Sequence, residues 1–186
     1  LVSAAEAEVA QFSRYFNYVN GSWNSHPVIP RTLDSVILKK GNKERIVEDI
    51  DRFLSLRSDY LRIGIPWHRG YLLYGPPGTG KTSVSLALSE HVGLAVFVLS
   101  LNSVRSDTDL LRAVSSVSEY VGYKDLKTGT VLILEDIDTV SVTNSRELGS
   151  NVQSSDSISL AGLLNVLDGA LTPSGMLIIM TTNYRD

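Results

Sequence analysis

Apolar residues in this chain fall into two rhythms. Four short runs are unbroken: Tyr71-Leu72-Leu73-Tyr74, Leu94 to Leu99, Val131 to Leu134 and Met176 to Met180. Continuous rather than alternating runs predict strands buried on both faces of a parallel sheet. Between them the period changes to that of a helix. Ile46, Val47, Ile50, Phe53 and Leu54 form one stripe; Val84, Leu88 and Val92 form a second, with Gly93 as its stop signal. Ser106-x-x-Asp109 has the form of a capping box that starts a third helix, with Leu110, Val114 and Val117 inward. Leu160, Leu163, Leu164 and Leu167 form a fourth, ended by Gly169. Strands alternating with helices predict right-handed crossovers and an α/β, three-layer sandwich with a mostly parallel sheet.

The flanks and one internal stretch break this pattern. Phe16 to Trp23 reads as strand, Asn20-Gly21 turn, strand. Pro27 and Pro30 then interrupt the chain. Residues 1–30 are therefore expected to be the tail of an upstream element, and residues 31–186 the core of the α/β unit. Ser141 to Ser159 is rich in Ser, Asn and Gln and nearly devoid of apolar side chains, which predicts a mobile loop. The chain begins at Leu1 and stops at Tyr184-Arg185-Asp186 without a turn or cap, so both ends read as cut.

Composition narrows the class. With 43% hydrophobic and 20% charged residues over 186 positions, the chain has the mix of a folded domain. A net charge of −3 gives no sign of a polyanion-binding surface, so nucleic acid is not an expected partner. Cysteine is absent, which removes disulfides, iron–sulfur clusters and thiolate zinc sites together. The apolar runs fall far short of the ~18 residues that a membrane helix needs.

The chemistry concentrates after the first unbroken run. Gly75-Pro76-Pro77-Gly78-Thr79-Gly80-Lys81-Thr82 fits G-x-x-x-x-G-K-[ST], set between a strand and a helix as a phosphate-binding loop requires. Glycines let the backbone curl so that successive N–H groups aim at phosphate oxygens, and the helix beyond, whose apolar stripe begins at Val84, adds its N-terminal dipole, with Ser83 counted among the nucleotide-binding residues. Lys81 has the reach and charge for the β- and γ-phosphates of ATP, and the Thr82 hydroxyl suits Mg²⁺. By chance the four fixed positions would recur in roughly half a percent of chains this long.

Two further strand ends supply polar groups. Val131 to Leu134 runs into Glu135-Asp136-Ile137-Asp138. In a parallel sheet, acids at a strand's carboxyl end share an edge with the phosphate loop. By position, Glu135 is expected to be the Mg²⁺ carboxylate and Asp136 the general base for water, in the reverse of the common Asp-Glu order. Asp136 is one methylene shorter than Glu, so the water must sit closer or hydrolysis slows. Thr181-Thr182-Asn183 ends the fourth run, and an amide there, Asn183, suits orienting the attacking water and sensing the γ-phosphate. His26, His68 and His91 are scattered and read as structural or surface groups. Asn42-Lys43-Glu44-Arg45 fails the last position of the guanine-reading N-K-x-D pattern, which disfavours a GTPase.

In that order, the phosphate loop, the acidic strand end and Thr181-Thr182-Asn183 resemble the AAA+ ATPases. Three longer stretches are more specific: Gly64 to Pro77, the inverted acids of Leu134 to Asp138, and Ser159-Leu160-Ala161-Gly162-Leu163-Leu164-Asn165-Val166-Leu167-Asp168-Gly169. With Thr32 to Leu38, they look like the mitochondrial AAA chaperones that insert the Rieske protein during complex III assembly, and their relatives. The resemblance covers about residues 15–186. It implies a homo-oligomeric ring, hexamer or heptamer, with ATP at the subunit interfaces and a protein cargo. It also implies anchoring in the mitochondrial inner membrane through an upstream helix, with arginine fingers, a fifth core strand and a helical lid beyond Asn183. The fifth strand would lie beside 71–74 and leave that strand as an edge. Ser100-Leu101-Asn102-Ser103 lacks the aromatic residue that peptide-threading rings place in the pore, in keeping with folded cargo.

Three functions compete at this point. One is the ATPase module of a chaperone or translocase ring, coupled to its pore through loops 100–105 and 139–158. The second is a nucleotide-gated binding module with little turnover; the third is a phosphate-loop kinase for a small molecule. The 186 residues alone are expected to bind nucleotide weakly and hydrolyse it barely.

Overall fold

The computed structural model describes residues 14–120, 129–139, 158–168 and 174–184. Six strands form one sheet: β1 (Arg14–Val19), β2 (Ser22–Pro27), β3 (His68–Tyr74), β4 (Ala95–Ser100), β5 (Thr130–Glu135) and β6 (Met176–Thr182). Their order across the sheet is β2-β1-β4-β5-β6-β3. All neighbours are parallel except the β1–β2 hairpin. Among the described residues five α-helices accompany it: α1 (Asn42–Ser55), α2 (Arg57–Ile63), α3 (Lys81–Val92), α4 (Asp107–Tyr120) and α5 (Leu160–Asp168).

Alternation along the buried strands builds two cores. Val96, Val131, Ile133, Leu177 and Ile179 face one way and pack with Ile50 and Phe53 of α1 and Val84, Ala87 and Leu88 of α3. Phe97, Leu99, Leu132, Leu134, Met176 and Ile178 face the other way and pack with α4 and α5. The three-layer α/β sandwich read from the strand–helix alternation is the architecture found. Helix punctuation also follows the sequence. The Ser106 hydroxyl accepts the Asp109 backbone N–H at 3.2 Å, and Gly93 closes α3 in a left-handed conformation.

The hairpin turns at Asn20-Gly21, where both residues take positive φ. Rather than standing apart, it lengthens the main sheet, because β1 pairs in parallel with β4 from Tyr15↔Val96 to Asn17↔Val98. An aromatic cluster secures it. Phe16 stacks on Phe97 at 4.7 Å, and the Trp23 indole N–H donates to the Ala113 carbonyl and the Ser116 hydroxyl of α4.

Three expectations need adjustment. The run Tyr71 to Tyr74 is not buried on both faces: β3 pairs only with β6 among the described residues, and Leu72 and Tyr74 are about half exposed. In α5 the leucine stripe splits, with Gly162, Leu163 and Val166 inward but Leu160 and Leu164 exposed. Most of the expected loop 141–159 lies outside the described residues, as does Gly169. Its last two residues are firmly placed: Ile158 is buried, and Ser159 is held by Asp107.

Candidate functional site

The strand order brings three sequence-predicted segments to one edge. β6 lies between β5 and β3, so Asn183, just beyond β6, stands between the acids that end β5 and the loop that follows β3. Within that loop Gly78 and Gly80 adopt φ of 78° and 88°, which side chains rarely tolerate, and Gly80 serves as the N-cap of α3. The Thr79 hydroxyl donates to the Pro76 carbonyl at 2.8 Å and fixes the curl; Pro77 and Gly78 are exposed at its crown. Ser83 is half-buried in the first turn of α3. In that helix Ser85 and Ser89 are fully buried, and their hydroxyls are satisfied by donating back to the Lys81 and Ser85 carbonyls.

Lys81 folds back over the loop. Its ammonium donates to the Gly75 carbonyl at 2.8 Å, the Pro76 carbonyl at 3.1 Å and the Asn183 amide oxygen at 3.0 Å. Next along the helix, the Thr82 hydroxyl donates to Glu135 Oε1 at 3.0 Å. Glu135 is the last residue of β5. Asp136 leaves the strand with φ of 57°, and its backbone N–H reaches the Thr181 hydroxyl at 3.4 Å. A short 3-10 turn, Ile137–Thr139, then carries Asp138 under the end of β6. Asp138 Oδ1 accepts the Asn183 backbone N–H at 3.2 Å, and Oδ2 accepts the Asn183 side-chain amide at 3.3 Å. Burial pushes the Asp138 carboxyl up; the hydrogen bonds from Asn183, its own backbone and Thr182 outweigh it and hold the group below the ordinary carboxylate range.

A cavity of about 950 Å³ adjoins Lys81 and runs along β3 to α1, with Thr79, Val84, Tyr74, Ile46 and Leu38 in its walls. At its far end Arg69 of β3 grips Asp49 of α1 with two guanidinium nitrogens, and the Tyr71 hydroxyl donates to the same carboxylate. The hydrogen bond from Tyr71, with Arg69 second to it, lowers the Asp49 pKa against the effect of burial.

A model of the family described as "ATPase family associated with various cellular activities (AAA)" matches residues 71–186. The chain belongs to the AAA ATPase family. AAA ATPases bind nucleotide, typically with Mg²⁺, and usually act as oligomers. Among similar proteins, AAA-ATPase At5g17760 of Arabidopsis thaliana is 37% identical over 164 residues, covering 84% of this chain and 31% of its own length. Protein HYPER-SENSITIVITY-RELATED 4 of the same plant is 34% identical over 183 residues, 92% of this chain and 30% of its own. A Dictyostelium discoideum protein described as a probable mitochondrial chaperone, BCS1-B, is 34% identical over 188 residues, 87% of this chain and 39% of its own. The chain thus spans roughly a third of the length of the curated relatives it matches.

Within this AAA ATPase the predicted residues converge, while the histidines stay apart. His91 meets Asp51 at 2.8 Å and His68 meets Asp168 at 3.5 Å, each joining two elements, and His26 is exposed. No cluster of three or more His, Cys, Asp or Glu suited to a metal occurs among the described residues. Mg²⁺ does not require one, since it takes one or two protein oxygens beside phosphate and water. No helix among the described residues is long and apolar enough to cross a membrane. Sequence reasoning assigned Asp138 no role. Its partner lies 45 residues further along the chain, so no local spacing could reveal it.

Proposed function

We propose that this chain is the ATP-hydrolysing module of a ring-forming AAA chaperone or translocase. The observation that carries the reading is the 3.0 Å contact between the Thr82 hydroxyl and Glu135 Oε1, which joins the phosphate loop to the acidic strand end. Two hard oxygen donors at that separation fit a cation such as Mg²⁺, and Thr82 and Glu135 are the residues that would hold it. When bound, Mg²⁺ neutralises charge on the β- and γ-phosphates.

The protein's own groups do the rest. The backbone of Gly75 to Ser83 cradles the phosphates, and Lys81 supplies the cation that faces them. The Asp136 carboxylate accepts the proton of the attacking water. Asn183, already within 3.0 Å of the Lys81 ammonium, orients that water and registers whether a γ-phosphate is present. Water must approach Asp136 closely, because its carboxylate reaches one methylene less than glutamate. The groove beside Lys81 has the volume for a nucleoside.

The name of the Dictyostelium relative supports a chaperone class, a protein cargo and a mitochondrial setting, whereas the plant names support only an ATPase. Assembly of a membrane protein or respiratory complex, with anchoring at the inner membrane, is the specific role we draw from that likeness. ATP binding and phosphate release, measured separately in the intact protein and in Glu135→Gln and Asp136→Asn, test the site. Both variants should still bind ATP, and Asp136→Asn should lose at least roughly 100-fold in turnover, the usual weight of a general base. Normal turnover by Asp136→Asn overturns the base assignment, and transfer of phosphate to an added small molecule overturns the hydrolase reading.

A further inference from the structure

We infer that Asp138 is a positioning residue for hydrolysis: its carboxylate locks the Asn183 side-chain amide in one of its two flip states, with the amide oxygen facing Lys81. The inference rests on the ATPase reading above and adds a residue to it. A primary amide presents an acceptor at one end and a two-proton donor at the other, and rotation by half a turn exchanges them. Asn183 stands between a group that only accepts, the Asp138 carboxylate at 3.3 Å, and a group that only donates, the Lys81 ammonium at 3.0 Å. One orientation satisfies both. The other sets oxygen against oxygen and nitrogen against nitrogen, and loses two charge-assisted hydrogen bonds at once.

The second carboxylate oxygen strengthens the lock. By accepting the Asn183 backbone N–H at 3.2 Å, it holds the residue at main chain and side chain together. Asp138 also sits two residues beyond Asp136, whose own backbone is tied to Thr181. Two cross-links, 136 to 181 and 138 to 183, therefore lace the end of β5 to the end of β6. Base and sensing amide are thereby fixed relative to one another before nucleotide arrives. Asp138 itself has no contact with Lys81 or Thr82 among their hydrogen bonds, so it acts through Asn183.

Asp138→Asn tests this without changing shape. The substituted side chain retains one acceptor and gains a donor, so it no longer dictates which end of Asn183 faces Lys81. In the intact protein, kcat for ATP should fall roughly tenfold, the weight of one hydrogen bond to a charged group, with KM and nucleotide affinity changed less than about threefold. In an Asn183→Ala background the same substitution should cost less than about twofold more, because its effect runs through the missing amide. Wild-type kcat in Asp138→Asn overturns the inference. So does a multiplicative loss in the double variant, which marks a separate structural role. If Asp138→Asn does not fold, Asp138→Ser is measured in its place, and failure of both to fold overturns the positioning role in favour of a structural one. Full turnover by Asp136→Asn and Asn183→Ala would instead sink the ATPase site itself, so the two failures are distinguishable.

Discussion

Asp136 occupies a conformation that disfavours side chains other than Asn, Asp and Gly, with φ of 57°. Asp136→Asn should therefore keep the native backbone, whereas Asp136→Ala should lose a further ~1 kcal/mol in chemical denaturation. Asp138 adds a pH dependence. Its pKa is depressed in the folded state, so its contribution to stability is complete above the ordinary carboxylate pKa and is lost as pH falls through the lowered value. A denaturation series across the acid range should show that loss, and Asp138→Asn should flatten it. Gly162 is decided by space rather than by backbone freedom. A Cβ there would stand 2.2 Å from the Asp107 carboxyl group, which is already held by the Ser159 N–H at 2.7 Å and hydroxyl at 2.6 Å. Gly162→Ala should therefore cost about 1–3 kcal/mol although Ala is the better helix former, and less in an Asp107→Ala background. Motif spacing named Lys81, Thr82 and Glu135 as candidates, and the fold sets all three at one end of the sheet. The pairings of Asp107 with Ser159 and of Asp138 with Asn183 were not legible in the sequence, because each pair forms only once distant strands and helices are assembled.

The unbroken apolar runs identified the strands correctly, since β4, β5 and β6 are sheathed on both sides by helices. Periodicity fails where an element's cover is incomplete. Tyr71 to Tyr74 reads like its neighbours yet forms the edge, and Leu160 and Leu164 of α5 read as core yet face outward. The hairpin turn was legible at Asn20-Gly21; its union with β4 was not, because sheet pairing between distant segments leaves no local trace. Trp23 should be the keystone of that union. It is 4% exposed and hydrogen-bonded to α4, so Trp23→Phe should cost about 1 kcal/mol for the indole bond and Trp23→Ala about 3–5 kcal/mol. The Asp49–Arg69–Tyr71 group ties α1 to β3 in a different way. Both ionic partners are more than a third exposed, so solvent screening keeps the pair below about 1 kcal/mol. Arg69→Lys should lose the two-pronged grip, and thermal melting should register it as a small shift.

At the scale of the whole molecule, one sheet carries a scaffold at one side and chemistry at the other. The aromatic hairpin closes the β4 flank, while the loop, the acids and Asn183 gather where β5, β6 and β3 end. A ligand that binds only the folded state adds RT ln(1 + [L]/Kd), about 2.7 kcal/mol at a hundred times Kd, so ATP should raise the midpoint of unfolding in proportion to its affinity. Where that stabilisation lands is set by β3, which has a ladder on one side only among the described residues. Amide protons on its other side are spared the double protection enjoyed by β5, and their exchange with deuterated solvent should rank among the fastest of the sheet strands. The phosphate loop is thus mounted on one of the two outer strands of the sheet among the described residues. Nucleotide should slow deuterium uptake in 68–82 far more than in 130–135, making the site a local clamp on that outer strand.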